Sequence, residues 1–588
     1  MDLQVVNEWM KLAENCLDMG NISGMRACGR QMLEEEPASL EAMAIIAEAS
    51  VYLEDFGEAE GWLEKLSNLP AQQEKAVMSL RGLLAMALYH GANFELTDAM
   101  EAYEKFFAAC KAAGDSFAGC GFGGIEQDWT QTEQKIIMRG YSFYADTCLL
   151  AGETEKAAGA AFKVSEMAGD ALLAASYFSK GLFISNYRYL DSYSLAARHG
   201  EYGRMYPRQA GFSHDVQKRR SAHNIRVGYI SPDFRFHAAA YFFTALLKNA
   251  SHQEFTVYGY STCREDHITR RFEKMADHWR NLAGLSTEEI ARIIYNDHID
   301  ILVDLSGHSN NNCLPVMAYR PAPVQVSGIG YINTTGLPVI DYFLTDKCCM
   351  PLDSGKTGFT ELPLRLEGCH LCYSPETMRK IHSLGHDAPA MKNGYVTFGS
   401  FNSFAKVTDE MLLAWRNILQ AVPESRLVIK CKTCSVPSGR ELVQKRFRAI
   451  GGNPDRLELR PFSRDYLMEY RDIDIILDTA PYNGGLTTCD ALYMGVPVIT
   501  LKGKTHGSRY GATILAAAGL QQLVADSMEA YIAKAAGLAE DAAMLGELHR
   551  ELPDRVRCSR LMDAKEYMQE LEQEYRRIWR LYCRKQEM

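Results

Sequence analysis

The chain has 588 residues, 47% of them hydrophobic, and a formal net charge of −11 at neutral pH. This length predicts about three or four units with cores of their own. The negative charge argues against nucleic acid as the main partner, and we expect no membrane insertion because no apolar run approaches ~20 residues. The amino terminus has the pattern of an amphipathic helix without a basic targeting region, which favours a cytoplasmic protein.

The first ~220 residues are predicted to form paired helices. Short polar turns separate apolar-periodic stretches around residues 52–59 and 149–158, and Pro37 and Pro70 each close a helix about one ~34-residue repeat apart. The pattern is typical of tetratricopeptide-like (TPR-like) hairpins, although the full consensus is absent. A generic helical domain is the alternative. In both cases residues 1–220 would offer a concave surface for a polypeptide.

From residue 224 the hydrophobic period becomes that of short strands separated by helices. The first series comprises a helix at 285–297 and strand candidates at 225–230, 255–260, 299–304 and 324–327. The second series comprises strand candidates at 395–398, 427–430, 456–459, 474–477 and 498–501. Strands alternating with helices predict two doubly wound parallel sheets. The join near 375–393 is polar, and residues 564–584 form a predicted helix rich in Glu, Tyr and Arg.

Sixteen cysteines are scattered along the chain without the spacing of a disulfide framework, which suits a reducing compartment. Two C-x-x-C pairs, Cys369 with Cys372 and Cys431 with Cys434, lie much further apart than the ~15–20 residues typical of a structural zinc site. We therefore interpret these thiols as packing residues, and the sequence predicts no metal site.

The stretch 476–500 predicts a phosphate-binding turn. An apolar strand ends at Asp478, a glycine turn over 483–485 lets the backbone approach a ligand, and Thr487 and Thr488 fall at the start of the next helix. Free N–H groups and the helix dipole at such a start face an anion. Taken alone, the segment is equally consistent with an ordinary βαβ unit.

This stretch and five others in the same order resemble the O-GlcNAc transferase and Spindly family of protein glycosyltransferases, family 41. The others are RVGYISPDF at 226–234, DLSGH at 304–308, RPAPVQ at 320–325, FNSFAK at 401–406 and THGSR at 505–509. The resemblance covers roughly residues 224–585. It implies an α + α/β protein with a TPR-like region over 1–220 followed by a GT-B catalytic region of two Rossmann-like lobes. The lobes would span 224–375 and 394–560. A terminal helix over 561–588 would pack back on them.

The implied activity is inverting, metal-independent transfer of a sugar, by default GlcNAc from UDP-GlcNAc, to Ser or Thr hydroxyls of a protein. The nucleotide sugar is a co-substrate, no cofactor is implied, and the protein acceptor would lie on the TPR-like surface. Three alternatives stay open: a GT-B enzyme that uses another sugar nucleotide or a lipid or small-glycan acceptor, a sugar-nucleotide epimerase, and a repeat adaptor with an inactive transferase lobe.

The resemblance also implies the residues that bind the donor phosphates. Lys406 matches the family's phosphate-binding lysine, with Asn402 and Ser403 in the turn before it. Its ammonium group would stabilise charge on the β-phosphate together with the hydroxyl and N–H donors of Thr487 and Thr488. Because the chain has no DxD-like motif in a suitable loop, we expect protein cations to balance this charge.

The nucleoside and sugar positions both match the family and depart from it. Asp490 matches the acidic residue implied to hold the ribose hydroxyls, and Tyr466 replaces the family's uracil-stacking histidine. Gly485 replaces a histidine of the animal enzymes, and Tyr482 and Ala405 change the implied sugar wall. UDP-glucose, UDP-galactose and GDP-fucose therefore stay open as donors beside UDP-GlcNAc.

The first lobe is implied to surround the sugar and the acceptor. His237 matches a histidine close to both, which makes it a candidate general base for the acceptor hydroxyl. His308 and Asp297 are candidates for orienting the acceptor or relaying a proton, and a buried structural histidine is the equal alternative for His308. Gly330 and Tyr331 match a loop that lines the sugar.

Overall fold

The structure is a computed structural model that describes residues 3–68, 80–118, 131–190, 192–206, 212–214, 224–352, 358–379 and 381–586. The chain divides into two compact units. Unit 1 comprises Met1–Tyr177 with Lys432–Lys445, and unit 2 comprises Phe178–Cys431 with Arg446–Met588.

Unit 1 is built from helical hairpins. Its helices are α1 (Leu3–Asp18), α2 (Ile22–Glu35), α3 (Leu40–Tyr52), α4 (Phe56–Ser67), α5 (Leu80–Ala92), α6 (Leu96–Ala118), α7 (Gln131–Ala151), α8 (Thr154–Met167) and the first part of α9 (Ala171–Ser185). Consecutive helices pack in pairs, as α1 does on α2 and α7 on α8. The predicted pairing is confirmed at both turns, and Pro37 follows α2 as predicted, whereas Pro70 lies outside the described residues.

A buried ion network ties alternate helices of unit 1 together. Arg81 of α5 pairs with Glu48 of α3 at 2.8 Å, and Arg139 of α7 pairs with Glu14 of α1 at 2.6 Å and with Glu48 at 3.1 Å. A buried charge is costly once its partner is lost. The network therefore constrains which helices can lie side by side.

The boundary between the units falls between Tyr177 and Phe178, earlier than residue 220, the end predicted for the helical region. The reason is hydrogen bonding to the first lobe. Ser179 of α9 bonds to His308, and His199 of α10 (Ser192–Met205) bonds to Tyr331. The second part of α9 and the whole of α10 therefore belong to the unit that carries the lobes.

The first lobe of unit 2 is a seven-stranded parallel sheet in the order β3-β2-β1-β4-β5-β6-β7. Its strands are β1 (Ile225–Ser231), β2 (Phe255–Ser261), β3 (His278–Asn281), β4 (Ile301–Asp304), β5 (Val324–Gly328), β6 (Tyr342–Asp346) and β7 (Leu362–Leu366), and its helices are α11 (Thr244–Lys248), α12 (Thr269–Glu273), α13 (Thr287–Asn296) and α14 (Leu314–Met317). The four predicted strands and the predicted helix are confirmed.

The second lobe is a six-stranded sheet in the order β10-β9-β8-β11-β12-β13, again parallel. Its strands are β8 (Thr397–Ser400), β9 (Arg426–Lys430), β10 (Leu457–Arg460), β11 (Ile475–Leu477), β12 (Val498–Leu501) and β13 (Val524–Ala525). The helices from here to the end of the chain, including two short ones before β8, are α15 (Pro375–Met378), α16 (Pro389–Asn393), α17 (Asp409–Ala421), α18 (Pro437–Ala449), α19 (Tyr466–Glu469), α20 (Leu486–Tyr493), α21 (Tyr510–Ala517), α22 (Met528–Glu540), α23 (Ala542–Arg557) and α24 (Ala564–Lys585). The two-lobed Rossmann-like architecture predicted from the sequence is confirmed.

The carboxy-terminal helix α24 returns to the first lobe after α23. Tyr575 lies with its hydroxyl 3.4 Å from that of Tyr229 on β1, and Glu572 accepts the backbone N–H of Ser251 at 2.6 Å. Among the described residues no helix is both long and apolar enough to cross a bilayer.

Candidate functional site

Ligands of open parallel sheets bind beyond the carboxyl ends of the strands. Most of the residues singled out in the sequence follow such ends, after β1, β4, β5, β8 and β11. Asp297 is different, because it follows α13 and precedes β4, on the amino-terminal side of the sheet.

Lys406 ends a short 3₁₀ turn over 404–406 after β8. Its Nζ donates to the carbonyl oxygen of Asn483 at 3.1 Å and lies 4.2 Å from the centroid of the Tyr482 ring. Burial lowers the pKa of Lys406 to about 8, and the Asp478 carboxylate opposes this shift. The ammonium group is thus held against the turn that precedes α20 and is mostly charged at neutral pH.

The turn after β11 is shaped by the fully buried carboxylate of Asp478. Its Oδ1 accepts the N–H of Gly484 at 2.7 Å, and its Oδ2 accepts the Thr500 hydroxyl at 2.7 Å. A Cβ at Gly484 would lie 2.5 Å from the Thr487 hydroxyl, so only glycine fits. The Thr488 hydroxyl donates back to the Gly484 carbonyl at 3.0 Å. The glycine turn predicted from the sequence is therefore a rigid loop.

The first turn of α20 points its backbone donors away from the helix. Gly485 stands directly before the helix, and the first internal bond runs from Cys489 N–H to the Gly485 carbonyl. The Thr487 hydroxyl donates to Asn402 Oδ1 at 3.0 Å, which joins this turn to the loop after β8. Ser403 is exposed in that loop. Backbone N–H groups of α20 and the Lys406 ammonium thus converge where an anion would sit, while Asn402 and Gly484 accept the Thr487 and Thr488 hydroxyl protons.

Asp490 is fully buried, and both of its carboxylate oxygens are occupied. Tyr373 donates to Oδ1 at 2.6 Å, and Tyr466 donates to Oδ2 at 2.5 Å. Burial raises the pKa of Asp490 to about 6, and the two hydroxyls and Arg379 oppose this shift. The Arg379 guanidinium lies 5.0 Å from the Tyr466 ring centroid. Tyr373 and Arg379 carried no sequence signal, since they lie outside the family motifs.

His237 follows β1 and keeps 40% of its side chain exposed. Two groups compete for its Nδ1: the Ala239 N–H at 3.3 Å and the Asp233 carboxylate at 3.5 Å. Burial lowers the pKa of His237, and Asp233 opposes this shift. When the Asp233 carboxylate accepts a hydrogen bond from a protonated Nδ1, the Nε2 of the neutral ring keeps a lone pair that can accept a proton. Asp233 lies within a recognised motif, but its contact with His237 was not anticipated.

The structure does not bring His308 and Asp297 to this surface. His308 is buried, with Nδ1 2.7 Å from the Ser179 hydroxyl and Nε2 2.9 Å from the Thr335 carbonyl oxygen, so both ring nitrogens are used. Asp297 binds Arg280 at 2.7 Å on the other side of the sheet. We therefore assign His308 a structural position and leave both residues out of the chemistry.

Tyr331 is a buried support rather than an open wall, and Gly330 beside it is partly exposed. A Cβ at Gly330 would collide with the carbonyl oxygen of Leu305, which accounts for the glycine. The Tyr331 hydroxyl accepts from Asn186 Nδ2 at 2.9 Å and lies 2.8 Å from His199 Nε2. Tyr331 is completely buried, so its ring supports the loop after β5 from the protein interior and does not line an open pocket.

Tyr482 is the partly exposed aromatic residue beside Lys406. Its ring centroid lies 5.0 Å from that of Tyr187 and 6.4 Å from that of Phe183. Ala405, by contrast, is 5% exposed and faces the interior. Of the two predicted sugar-wall residues, only Tyr482 is thus accessible. No sequence pattern indicated that Phe183 and Tyr187 lie beside it.

The model of glycosyl transferase family 41 matches residues 193–363 and 376–571 of this chain. SPINDLY of Arabidopsis thaliana, described as a probable UDP-N-acetylglucosamine–peptide N-acetylglucosaminyltransferase, is 38% identical over 425 residues, which are 70% of this chain and 45% of the plant protein. SEC of the same plant, with the same description, is 29% identical over 381 residues, 63% of this chain and 38% of its own. The chain spans less than half the length of these curated relatives.

A solved structure agrees with this result. An O-GlcNAc transferase mutant of Thermobaculum terrenum aligns with a TM-score of 0.71 and 26% identity, over 99% of each chain. The family model covers well over half of the sequence, including the turns that hold Lys406 and Thr487. The chain belongs to glycosyl transferase family 41.

Proposed function

We propose that this protein is an inverting, metal-independent glycosyltransferase that moves a sugar from a nucleotide diphosphate sugar to Ser or Thr hydroxyls of a protein. The observation that carries the proposal is the Lys406 ammonium group, fixed 3.1 Å from the Asn483 carbonyl at the start of α20. The names of the plant relatives and of the Thermobaculum structure support peptide acceptors and UDP-GlcNAc as the leading donor.

The chemistry requires stabilisation of the negative charge that develops on the β-phosphate as the glycosidic bond breaks. A pKa of about 8 leaves Lys406 roughly nine-tenths protonated at pH 7. The backbone N–H groups at the amino end of α20 add donors that are already oriented by the Asp478 turn, whereas the Thr487 hydroxyl would first have to release Asn402 Oδ1. Donors held in place before the reaction stabilise developing charge without reorganisation, so this site does not depend on a divalent ion.

The nucleoside would lie towards Asp490 and Tyr466. We assign the base to the face of the Tyr466 ring and the ribose hydroxyls to the Asp490 carboxylate. Both oxygens of Asp490 already accept a tyrosine hydroxyl, and Tyr373 is buried. A ribose hydroxyl can therefore reach the carboxylate only if Tyr466 gives up its 2.5 Å bond to Asp490 Oδ2. The sugar would then lie between Lys406 and the Tyr482 ring.

The acceptor hydroxyl would approach from the side of His237. In this arrangement Asp233 holds the ring with Nδ1 protonated, and Nε2 takes the proton of the attacking Ser or Thr. The helical hairpins of unit 1 would bind the rest of the acceptor protein, and we place the reaction in the cytoplasm as the sequence predicts.

A panel of nucleotide sugars tests the proposal. Purified protein should hydrolyse, and be thermally stabilised by, one of UDP-GlcNAc, UDP-glucose, UDP-galactose and GDP-fucose, and should label protein substrates with that sugar. Lys406→Ala should reduce transfer by ~10²-fold or more, whereas Lys392→Ala, an exposed lysine on α16, should leave it unchanged. Transfer within a few-fold of wild type in Lys406→Ala, or activity lost in EDTA and restored by manganese, would contradict the mechanism. Donor binding without turnover would instead indicate an adaptor.

A further inference from the structure

A second group of reactive side chains lies where the two lobes meet. We call Asp346, Cys349, Cys369, His370 and His506 the inter-lobe cluster. Asp346 ends β6 and Cys349 follows it, Cys369 and His370 follow β7, and His506 comes from the second lobe just before α21. All five are buried, with His370 completely so. Nothing in the proposed transfer reaction uses them.

His370 has the arrangement of a metal-binding imidazole. Its Nδ1 lies 2.5 Å from Asp346 Oδ2. Because a carboxylate accepts, Nδ1 carries a proton, and Nε2 of the neutral ring carries a lone pair. That Nε2 is buried and has no hydrogen-bond partner among the described residues. A buried polar atom without a partner is costly, and metal-bound histidines almost always donate their other N–H to such a carboxylate.

His506 is held in the same tautomer from the opposite lobe. Its Nδ1 lies 3.1 Å from the Ile332 carbonyl oxygen, which can only accept, so this nitrogen carries the proton. Its Nε2 therefore has a lone pair as well, and at present it accepts the Thr345 hydroxyl at 2.9 Å. The Thr345 hydroxyl is buried, so metal binding would have to compensate for the loss of this bond; two imidazole lone pairs would then be available to one ion.

The cluster also supplies sulfur. One ligand atom each from Cys349, His370 and His506 lies within 4.8 Å of the others, and the same holds for Asp346, Cys369 and His370. The Leu371 N–H points at Cys369 Sγ at 3.4 Å, a contact that stabilises a thiolate. Bonds of about 2.0–2.3 Å at tetrahedral angles separate ligand atoms by roughly 3.3–3.8 Å. Movements of about 1 Å would therefore bring Cys349, His370 and His506 to that spacing, whereas Cys369, which groups with Asp346 and His370 instead, would have to move further to join them.

We propose that the inter-lobe cluster binds a structural Zn²⁺ ion through Cys349 Sγ, His370 Nε2 and His506 Nε2, with Cys369 Sγ completing the tetrahedral set. Two cysteines and two histidines form a common structural zinc set, and two thiolates balance the charge of the ion. Asp346 would orient His370 from outside the set. Because the ligands come from both lobes, the ion would link them and restrict their separation.

The test measures the metal content of the full chain, purified without a metal-affinity tag and dialysed under reducing conditions. We expect about one zinc per chain by elemental analysis. His506→Gln and Cys349→Ser should each reduce this content at least tenfold. Two matched controls should keep it: Cys313→Ala, which removes another buried thiol of the first lobe, and His90→Gln, which breaks the more exposed His90, Glu95 and Asp98 group of unit 1.

Cobalt substitution provides a second readout that does not depend on variant folding. Wild-type protein loaded with Co²⁺ should show tetrahedral d–d bands and a sulfur-to-cobalt charge-transfer band. Absence of zinc and cobalt binding by folded wild-type protein would overturn the proposal. So would a zinc content that His90→Gln removes and His506→Gln leaves intact. These readouts are independent of sugar transfer, so failure here would leave the transferase proposal unaffected.

Discussion

Replacing Tyr466 by phenylalanine should tighten donor binding, although it removes a hydrogen bond from the site. The Tyr466 and Tyr373 hydroxyls occupy both oxygens of Asp490, at 2.5 and 2.6 Å. A ribose that binds this carboxylate must first displace one of them. Tyr466 is only partly buried whereas Tyr373 is buried, so Tyr466 is the group that moves. Phenylalanine removes the competing hydroxyl and keeps the ring that stacks on the base.

The size of the effect follows from the bond that no longer has to be broken. A hydrogen bond to a charged group contributes about 1.5–3 kcal/mol net. The displaced hydroxyl recovers part of this by bonding to water, which leaves about 1–2 kcal/mol, or roughly 5–30-fold in Kd. The free protein should lose stability at the same time. Burial already raises the pKa of Asp490 to about 6, and with one donor fewer the ionised carboxylate is less well compensated.

Calorimetric titration with the nucleoside diphosphate of the preferred donor measures the change directly. Tyr373→Phe is the matched control, because it removes the other bond to Asp490 on the side closed to the ligand. It should destabilise the fold without tightening binding. If folded Tyr466→Phe binds the nucleotide no more tightly than wild type, the ribose does not use Asp490, and the assignment of the nucleoside end is wrong.

Three further variants probe the acceptor side, the support of the first lobe and the sugar. Burial lowers the pKa of His237, and Asp233 opposes that shift. Asp233→Asn should therefore lower kcat and shift the acidic limb of the pH–rate profile to lower pH. If the limb does not shift, Asp233 and His237 do not act as a pair in the reaction. Burial lowers the pKa of His199 to about 4 from an ordinary 6.5, so on acidification the unfolded chain binds the proton first and stability falls between pH 6.5 and 4. The lowered pKa of His199 should reduce the free energy of unfolding by about 2 kcal/mol between pH 7 and pH 5. Urea unfolding at both pH values should show this loss in the wild type and not in His199→Gln. An equal pH dependence in wild type and variant would refute the pKa shift of His199. Tyr482→Ala should change the kcat/KM ratio between UDP-GlcNAc and the UDP-hexoses by at least ~10-fold with UDP affinity nearly unchanged, and a flat ratio in an active variant would place the sugar elsewhere.

Most of the strands that the sequence pattern predicted are buried on both faces, because short continuous apolar runs between helices are typical of the inner strands of a parallel sheet; the edge strand β10 is an exception. The inner strand β6 (Tyr342–Asp346) carries the same signal and was overlooked. Two other missed strands lack it. β3 (His278–Asn281) is an edge strand with mostly exposed residues, and β7 (Leu362–Leu366) contains Pro363 and lies at the other edge. The boundary between the compact units lies before residue 220, the predicted end of the helical region, for another reason. Periodicity shows that α9 and α10 are helices, but only the bonds of Ser179 and His199 show what they pack against.

The candidate site divides in the same way. Lys406 and Thr487 were predictable because each sits in a short motif whose backbone shape is local. Whether a side chain has a lone pair left for chemistry is a tertiary property, as two histidines of the first lobe demonstrate. His308 and His370 are equally buried, yet Ser179 and Thr335 use both nitrogens of His308, whereas Asp346 uses one nitrogen of His370 and leaves the other without a partner among the described residues. The sequence offered His308 as a candidate with a buried structural histidine as the equal alternative, and it gave no indication of His370. The two histidines differ in partners that lie far from them in the sequence. Only the folded structure therefore shows which of the two rings keeps a nitrogen unpartnered within the described part of the chain.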